Sequence, residues 1–595
     1  MGIFLIPFFL FLPGYALTFL FQWIHGFFKR IAFSVILSIS SGVIISFLCA
    51  ALGLPLVPFF VFFLAVCAVC LIFLRTKRSI FFLEWNALVK KERWLFAFFL
   101  TLSVFAGIFI ATPHFHYPWP IHGDEWWQVG TVQNVIEGRA LNTHPYLLNE
   151  LTNNKPGFSS YIAALFGVGG IDPISGWTFL PAANVFLISL IGSLLLYELT
   201  KKTLAAGVFP ILLIALRSNA YILGWWFFVP STFGLLFVLA AFLSVSLWKK
   251  TFSGLVFAFI LFAALFLVYA PLGLFSLIAL LPFFIPYRSI ALYAREHTLS
   301  FLLILCACVA IIAGGIYIAT TISPYREYWT INSFLPPAII QAFFVPRGAT
   351  FHFSLGSGLF DTVPLILLLA AAVGCANIIK EPWKRALCFG TFLGILNVWL
   401  SYALGVSFLL FHQRTFYLVG TLAAVLASLG VSLLFDNFQK SQYATRASSL
   451  WKKTIGILFL LCFGVILFLG YFTPPNGTLL YHLVEKEDVT AMEWLVKHRD
   501  ELGTKTVIAN QVVGTLITPF TRMRSKISFL TAQNVAETIN PQDILTAEEP
   551  DCKKKEESII RLGGDLIYAK SPQSCPFLKE IYSSPRVFIY LYPAT

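Results

Sequence analysis

The chain has 595 residues, 58% of them hydrophobic and 12% charged, with 63 Phe against 28 acidic residues. So little polar surface excludes a packed array of soluble domains, and the composition equally excludes disordered, collagen-like and coiled-coil chains. A mean hydropathy of +0.82 and a net charge of +13, carried by small Lys/Arg clusters between apolar runs and not by one basic face, describe a polytopic membrane protein with no nucleic-acid partner.

In chain order, Met1 to Trp23 lacks the basic start and cleavage site of a secretory signal and reads as a retained span. Apolar runs long enough to cross a bilayer recur from Ile3 to Tyr471, about 14 of them. The first three and the basic loop that follows read as an appended bundle (1–93), ahead of a core over 94–472. Lys29/Arg30, Arg75 to Arg93, Lys201/Lys202, Lys249/Lys250, Arg288/Arg295, Lys380 to Arg385 and Lys440 to Lys453 fall on alternate connections, which the positive-inside rule assigns to the cytoplasm. The outward set then includes loops 113–158 and 323–357, the segments 217–230 and 405–414, and everything after Phe472. No internal repeat is visible, which weakens transporter designs built on inverted duplications.

After Pro474-Pro475 the composition turns charged and mixed. Asp488 to His498 is amphipathic, Thr506 to Ala509 strand-like, Lys553 to Arg561 helical, and Asp565 to Ala569 and Val587 to Tyr592 strand-like, which predicts an α/β domain over 473–595. The expected fold class is a polytopic α-helical membrane protein with a C-terminal extracytoplasmic α/β domain, set in the plasma (inner) membrane. Most Cys lie in apolar runs as small hydrophobes. Cys552 and Cys575 sit in polar sequence, where an oxidising compartment would allow them to pair.

Chemistry concentrates in the first large outer loop, where His114, His116 and His122 lead into the adjacent carboxylates Asp124 and Glu125 and a short helix ends near Gly138-Arg139; His144-Pro-Tyr and Lys155-Pro156-Gly157 follow. Asp124 reads either as the cap of that helix, with Glu125 favoured by the helix dipole and Trp126 and Trp127 as interfacial anchors, or as a base. A carboxylate in a partly dehydrated pocket at the membrane surface has its basicity raised, as a proton acceptor for a hydroxyl requires. His122 and Asp124 are also ligand types that a divalent metal accepts, against the plainer reading of loop His as surface hydrogen bonders. Asp172, before Pro173, reads most simply as a turn.

The run from Asp124-Glu125 through Glu-Gly138-Arg139, His-Pro-Tyr and Lys155-Pro156-Gly157 to Phe-Gly-Val-Gly-Gly-Ile-Asp172 resembles the first extracytoplasmic loop of the GT-C glycosyltransferases. Within them it is similar to the protein O-mannosyltransferases and the aminoarabinose transferase of lipid A. The resemblance implies a GT-C-like membrane core with Asp124 as catalytic base and Glu125 as the supporting acid that positions acceptor or metal. It implies Lys155 and Arg414 as groups for the phosphate of a polyprenyl-phosphate sugar donor; Arg326 and Arg347, in the 323–357 loop, are further outer-side cations that could serve that phosphate. His122, His412, Arg139 and Asp172 are the further polar groups on the acceptor side. For each cation the plain alternative is snorkelling to lipid headgroups.

The expected activity is transfer of a sugar, with inversion, from that donor to a glycan, lipid or protein acceptor at the outer face, with membrane lipids as the other partner and a divalent metal as the one cofactor to consider. Absence of the Trp-Trp-Asp-Tyr-Gly signature from the C-terminal part argues against en bloc transfer to sequon asparagines. A lipid-linked saccharide transporter or flippase, and a non-catalytic envelope-assembly protein whose acid pair only caps a helix, are the alternatives. The first would need charged groups at mid-membrane, and the spans are apolar.

Overall fold

The computed structural model describes residues 6–73, 85–146, 155–216, 224–245, 252–284, 344–353, 363–375, 381–404, 410–440, 484–526 and 549–593, apart from isolated positions within these ranges. In chain order the membrane-region helices are α1 (Ile6–Thr18), α2 (Phe27–Ala51), α3 (Leu56–Phe73), α4 (Lys90–His116), α5 (Gly123–Ile136), α6 (Pro156–Gly169), α7 (Pro173–Trp177), α8 (Leu180–Thr200), α9 (Thr203–Leu213), α10 (Pro230–Ser244) and α11 (Phe252–Phe284). An antiparallel hairpin, β1 (Phe344–Arg347) with β2 (Thr350–Phe353), precedes α12 (Leu365–Gly374), α13 (Pro382–Leu404) and α14 (His412–Lys440). Among the described residues five helical segments are long and apolar enough to cross a bilayer: Phe27–Ala51, Lys90–His116, Pro173–Thr200, Ser253–Leu280 and Arg414–Asn437. The expected count of spans extends into residues outside the described ones.

Every residue of α10 is buried, so a helix that is apolar on all sides ends up at the centre of the bundle. At its rim α4 exposes Phe98, Val104, Phe105 and Ile108, as a lipid-facing helix does. Burial of apolar surface gives helices in lipid little reason to associate, so close backbone approach matters more. Gly374 of α12 and Gly430 of α14 show it reciprocally: a Cβ on either would lie 1.9 Å from a carbonyl oxygen of the other helix, Leu426 and Ala370 respectively. The first three helices, read from the sequence as an appended bundle, pack directly on the core. Ser46 Oγ of α2 lies 3.4 Å from Ser160 Oγ of α6, and Phe60 of α3 meets Tyr161 at 6.4 Å between rings.

One end of the bundle collects charge. Glu198 of α8 faces Lys201 at 2.7 Å and Lys29 at 3.9 Å, and Lys202 pairs with Asp436 near the end of α14. The start of α14, at Arg414, lies about 33 Å away along the helix, close to the thickness of a hydrocarbon core.

The C-terminal unit comprises α15 (Lys486–Lys497), α16 (Arg499–Leu502), β3 (Thr506–Ala509), α17 (Gln511–Thr521), β4 (Arg524–Ser525), α18 (Cys552–Leu562), β5 (Leu566–Ala569), β6 (Lys579–Ser583) and β7 (Phe588–Leu591). The sheet order is β4-β3-β5-β7-β6, parallel across its first three strands and antiparallel after them. Asp488, fully buried, accepts the Tyr568 O–H at 2.6 Å and the Lys570 ammonium at 2.7 Å, tying α15 to the sheet. Cys552, the first residue of α18, and Cys575, between β5 and β6, form a disulfide.

Candidate active site

The geometry at the start of α5 departs from the expected cap. His122, with extended φ −127° and ψ 153°, is the N-cap, and its Nδ1 accepts the Asp124 N–H at 3.1 Å. The imidazole thus does the capping that the sequence assigned to Asp124 and leaves the Asp124 carboxylate free for a side-chain partner. Glu125 folds back so that Oε2 accepts the N–H groups of Ile121 (2.8 Å) and His122 (3.2 Å). Its Oε1 accepts the N–H of Phe228 at 2.9 Å. Both oxygens expected to position an acceptor or metal are therefore engaged by main chain. Burial pushes this carboxyl up to about 7 against the pull of those amide donors.

Asp124 Oδ2 meets Arg414 Nη2 at 2.5 Å across 290 residues of sequence. The guanidinium lies over the Phe227 ring, 4.9 Å from its centroid, and the His122 ring packs edge-on against the same Phe227 at 5.2 Å. Burial works to raise the Asp124 pKa, but the Arg414 charge, with its hydrogen bond, outweighs it and holds the carboxyl below its ordinary value. The raised basicity expected at Asp124 is found instead at Glu125. The ion pair stays partly open to solvent, Asp124 at 30% and Arg414 at 20% side-chain exposure, so a ligand can reach it.

His122 is driven toward its neutral form by burial, which outweighs the Asp124 charge. With Nδ1 accepting an amide, the neutral ring carries its proton on Nε2 and has no lone pair for a metal. Asp124 is engaged by Arg414, and among the described residues no three His, Cys, Asp or Glu converge. As arranged, His122 and Asp124 do not fit the divalent-metal site expected of them.

Lys155 is the N-cap of α6, with Pro156 at the first helical position. It is half-buried, burial lowers its ammonium pKa, and no carboxylate among the described residues pairs with it. Gly157 explains the Lys-Pro-Gly sequence: a Cβ there would come within 2.6–2.9 Å of Leu267, two residues before the break in α11 at Tyr269 (φ −158°, ψ 91°). Pro271 follows two residues after that break, and with no N–H it has no hydrogen bond to return to the Leu267 carbonyl one turn back.

Arg139 lies at the surface on Glu137, 3.0 Å away. Asp172 caps α7 through the N–H (2.9 Å) and Oγ (3.0 Å) of Ser175. The His412 and Arg347 side chains, and the whole of Arg326, lie outside the described residues.

The sequence reading missed several participants. Phe227 and Phe228 carry no reactive group, and their part is a ring face and an amide N–H, which residue type does not advertise. Trp225 and Trp226 are buried, the first donating its indole N–H to Leu213 O at 2.7 Å. Trp126, expected at the membrane surface, is buried against Phe520 at 5.3 Å between rings. Tyr146 is fully buried with its ring edge-on to Trp127 at 5.4 Å. Burial and then the Asp124 charge raise its phenol well above the ordinary value.

No protein-family model and no curated protein matches the chain. Among solved structures it is similar to the Archaeoglobus fulgidus oligosaccharyltransferase AglB in complex with an inhibitory peptide and a dolichol-phosphate, with a TM-score of 0.54 and 13% identity over 80% of this chain and 69% of that one. The apo form of the A. fulgidus oligosaccharyltransferase gives 0.50 and 13%, over 79% and 69%. The likeness is one of fold: the chain shares its architecture with the A. fulgidus enzyme.

Proposed function

We propose that the chain transfers a sugar from a polyprenyl-phosphate-linked donor to an acceptor at the outer face of the membrane, with Asp124 as the base. The observation that carries this reading is the meeting of Asp124 with Arg414 in a partly open site at one end of the bundle. The fold neighbour solved with dolichol-phosphate and a peptide supports a lipid phosphate on the donor side.

The reaction needs a base on the attacking side and cations on the departing phosphate. The acceptor hydroxyl gives its proton to Asp124 while its oxygen attacks the anomeric carbon. The bond from that carbon to the phosphate oxygen breaks, and the polyprenyl phosphate leaves with the electron pair. A single displacement of this kind inverts the anomeric centre. Asp124 occupies one N–H of Arg414, and a guanidinium has five, so the same group can hold the phosphate. Lys155, half-buried and without a carboxylate partner among the described residues, supplies the second cation.

A phosphate drawing Arg414 toward itself weakens the hold on Asp124. Burial then raises the carboxylate's basicity when the donor is in place, and the base is strengthened at the step that uses it. Glu125 is a positioning residue in this scheme, fixing α5 against Phe228. No step calls on a metal.

The test is donor turnover in proteoliposomes loaded with a panel of polyprenyl-phosphate sugars, for wild type and Asp124→Asn. Turnover by wild type, with a loss of roughly a thousandfold or more in the variant, is the expected result. Equal turnover by both would remove Asp124 from the chemistry. No turnover of any donor by folded wild type would return the chain to the transporter or scaffold readings.

A further inference from the structure

The C-terminal unit grips α5 through one residue in an unusual conformation. Arg522 directly follows α17 and has φ +59°, one of two non-glycine residues with positive φ among those described. Such a backbone costs on the order of 1–2 kcal/mol and persists where surrounding contacts require it. Those contacts are plain here. Arg522 Nε and Nη2 bind the two Glu137 oxygens at 2.7 and 2.8 Å, its Nη1 binds Gln133 Oε1 at 2.9 Å, and Nη2 also reaches Asn134 Oδ1 at 2.8 Å. Gln133 returns a hydrogen bond to Pro519 O at 2.9 Å, and Phe520 stacks on Trp126.

At 3.6 residues per turn, Trp126, Gln133 and Glu137 form one stripe along α5, and Asp124 points roughly 160° away from Trp126. The C-terminal unit thus holds the back of the helix whose front carries Asp124 to Arg414. Asn134 extends the hold. Its Nδ2 donates to the carbonyls of Thr143 (3.4 Å) and His144 (3.3 Å), in the loop that brings Tyr146 beside Trp127, and Thr518 Oγ1 donates to Tyr146 O at 3.3 Å.

We propose that Arg522 is a positioning residue for the Asp124 site: it fixes the roll of α5 about its axis, and with it the alignment of Asp124 on Arg414. This rests on the transferase reading for its catalytic consequence. Its structural content, a clamp on α5, does not.

Arg522→Gly separates the clamp from the fold, because glycine adopts positive φ at no steric cost and leaves the turn intact. The full-length variant in proteoliposomes is expected to lose kcat by roughly 10–100-fold. The donor KM should stay near wild type, since Lys155 and Arg414 belong to the membrane core. Hydrogen exchange over residues 126–137 should rise while the β3, β5 and β7 amides stay protected. Arg522→Lys, which keeps the charge and loses the fork, should fall between.

Wild-type kcat in Arg522→Gly would overturn the proposal whatever the exchange shows, and so would a loss of kcat with α5 exchange unchanged. Deprotection of the whole sheet would also overturn it, by making Arg522 a residue of domain folding. If wild type turns over no donor, the transferase reading fails while increased α5 exchange still establishes the clamp.

Discussion

Replacing Arg414 by Gln leaves Asp124 with the burial that raises its pKa and removes the guanidinium that lowers it. Arg414→Gln is therefore expected to move the acid limb of the pH–rate profile to higher pH, besides lowering the neutral-pH rate by roughly a hundredfold through the lost phosphate contact. A profile of kcat/KM between pH 4 and 8 checks it, and an unmoved limb would detach Asp124 from the titration. Glu125 behaves in the opposite sense. Its folded value of about 7 lies above the ordinary 4.5, so between those two values the folded protein holds a proton that the unfolded chain has released. Stability accordingly declines as pH rises through that window, by on the order of 3 kcal/mol, and levels off above it. Glu125→Gln removes this dependence but turns an amide N–H₂ toward backbone donors, at a cost of about 1–3 kcal/mol. The variant should melt below wild type at pH 5, and the gap should narrow toward pH 7.5. A gap independent of pH would show that Glu125 stays ionised throughout.

At the level of elements, the Gly157 contact gives a direct expectation. Gly157→Ala places a methyl 2.6 Å from Leu267 Cβ and 2.9 Å from its backbone, so α6 and α11 must part, costing about 1–3 kcal/mol as overpacking does. A fall in the melting temperature of the detergent-solubilised protein checks it, and an unchanged value would mean that the α11 break absorbs the methyl. The same contact shows why pattern alone reached only part of the structure. β3 over Thr506–Ala509 and α15 over Lys486–Lys497 follow their expected periodicities because each faces a local choice between core and solvent. Gln511–Thr521 is rich in Val, Thr and Ile and suggests no helix by propensity. It is nevertheless α17, burying Val513, Leu516 and Ile517 at helical spacing, since packing overrides propensity. In the site, Asp124 and Arg414 were recognisable as chemistry-bearing residues. Their contact was not, because nothing local records a pairing 290 residues apart, and the partners of Glu125 are main-chain amides that residue identity does not reveal.

For the molecule as a whole, the two ends of α14 carry different jobs. Arg414 lies with Asp124 at one end, where Val484 N–H also reaches the Tyr117 hydroxyl at 2.9 Å and ties the C-terminal unit to the end of α4. Asp436 lies with Lys202 at the other, beside Lys201, Lys29 and Glu198. About 33 Å of helix separates them, so a bilayer core fits between the ends and each must face a different compartment. The positive-inside rule sends the Lys-rich end to the cytoplasm, and the Cys552–Cys575 disulfide belongs to an oxidising compartment. On these two grounds, each independent of the other, we propose that the Asp124 site and the C-terminal unit face outward. In a background lacking other thiols but retaining the disulfide, Glu501→Cys on the C-terminal unit should react with a membrane-impermeant maleimide in intact cells. Lys201→Cys, at a position whose side chain is 63% exposed, should react only after permeabilisation. The reverse pattern would put Asp124 and Arg414 on the cytoplasmic face, and an outer-face transfer from a polyprenyl-phosphate donor would no longer be tenable.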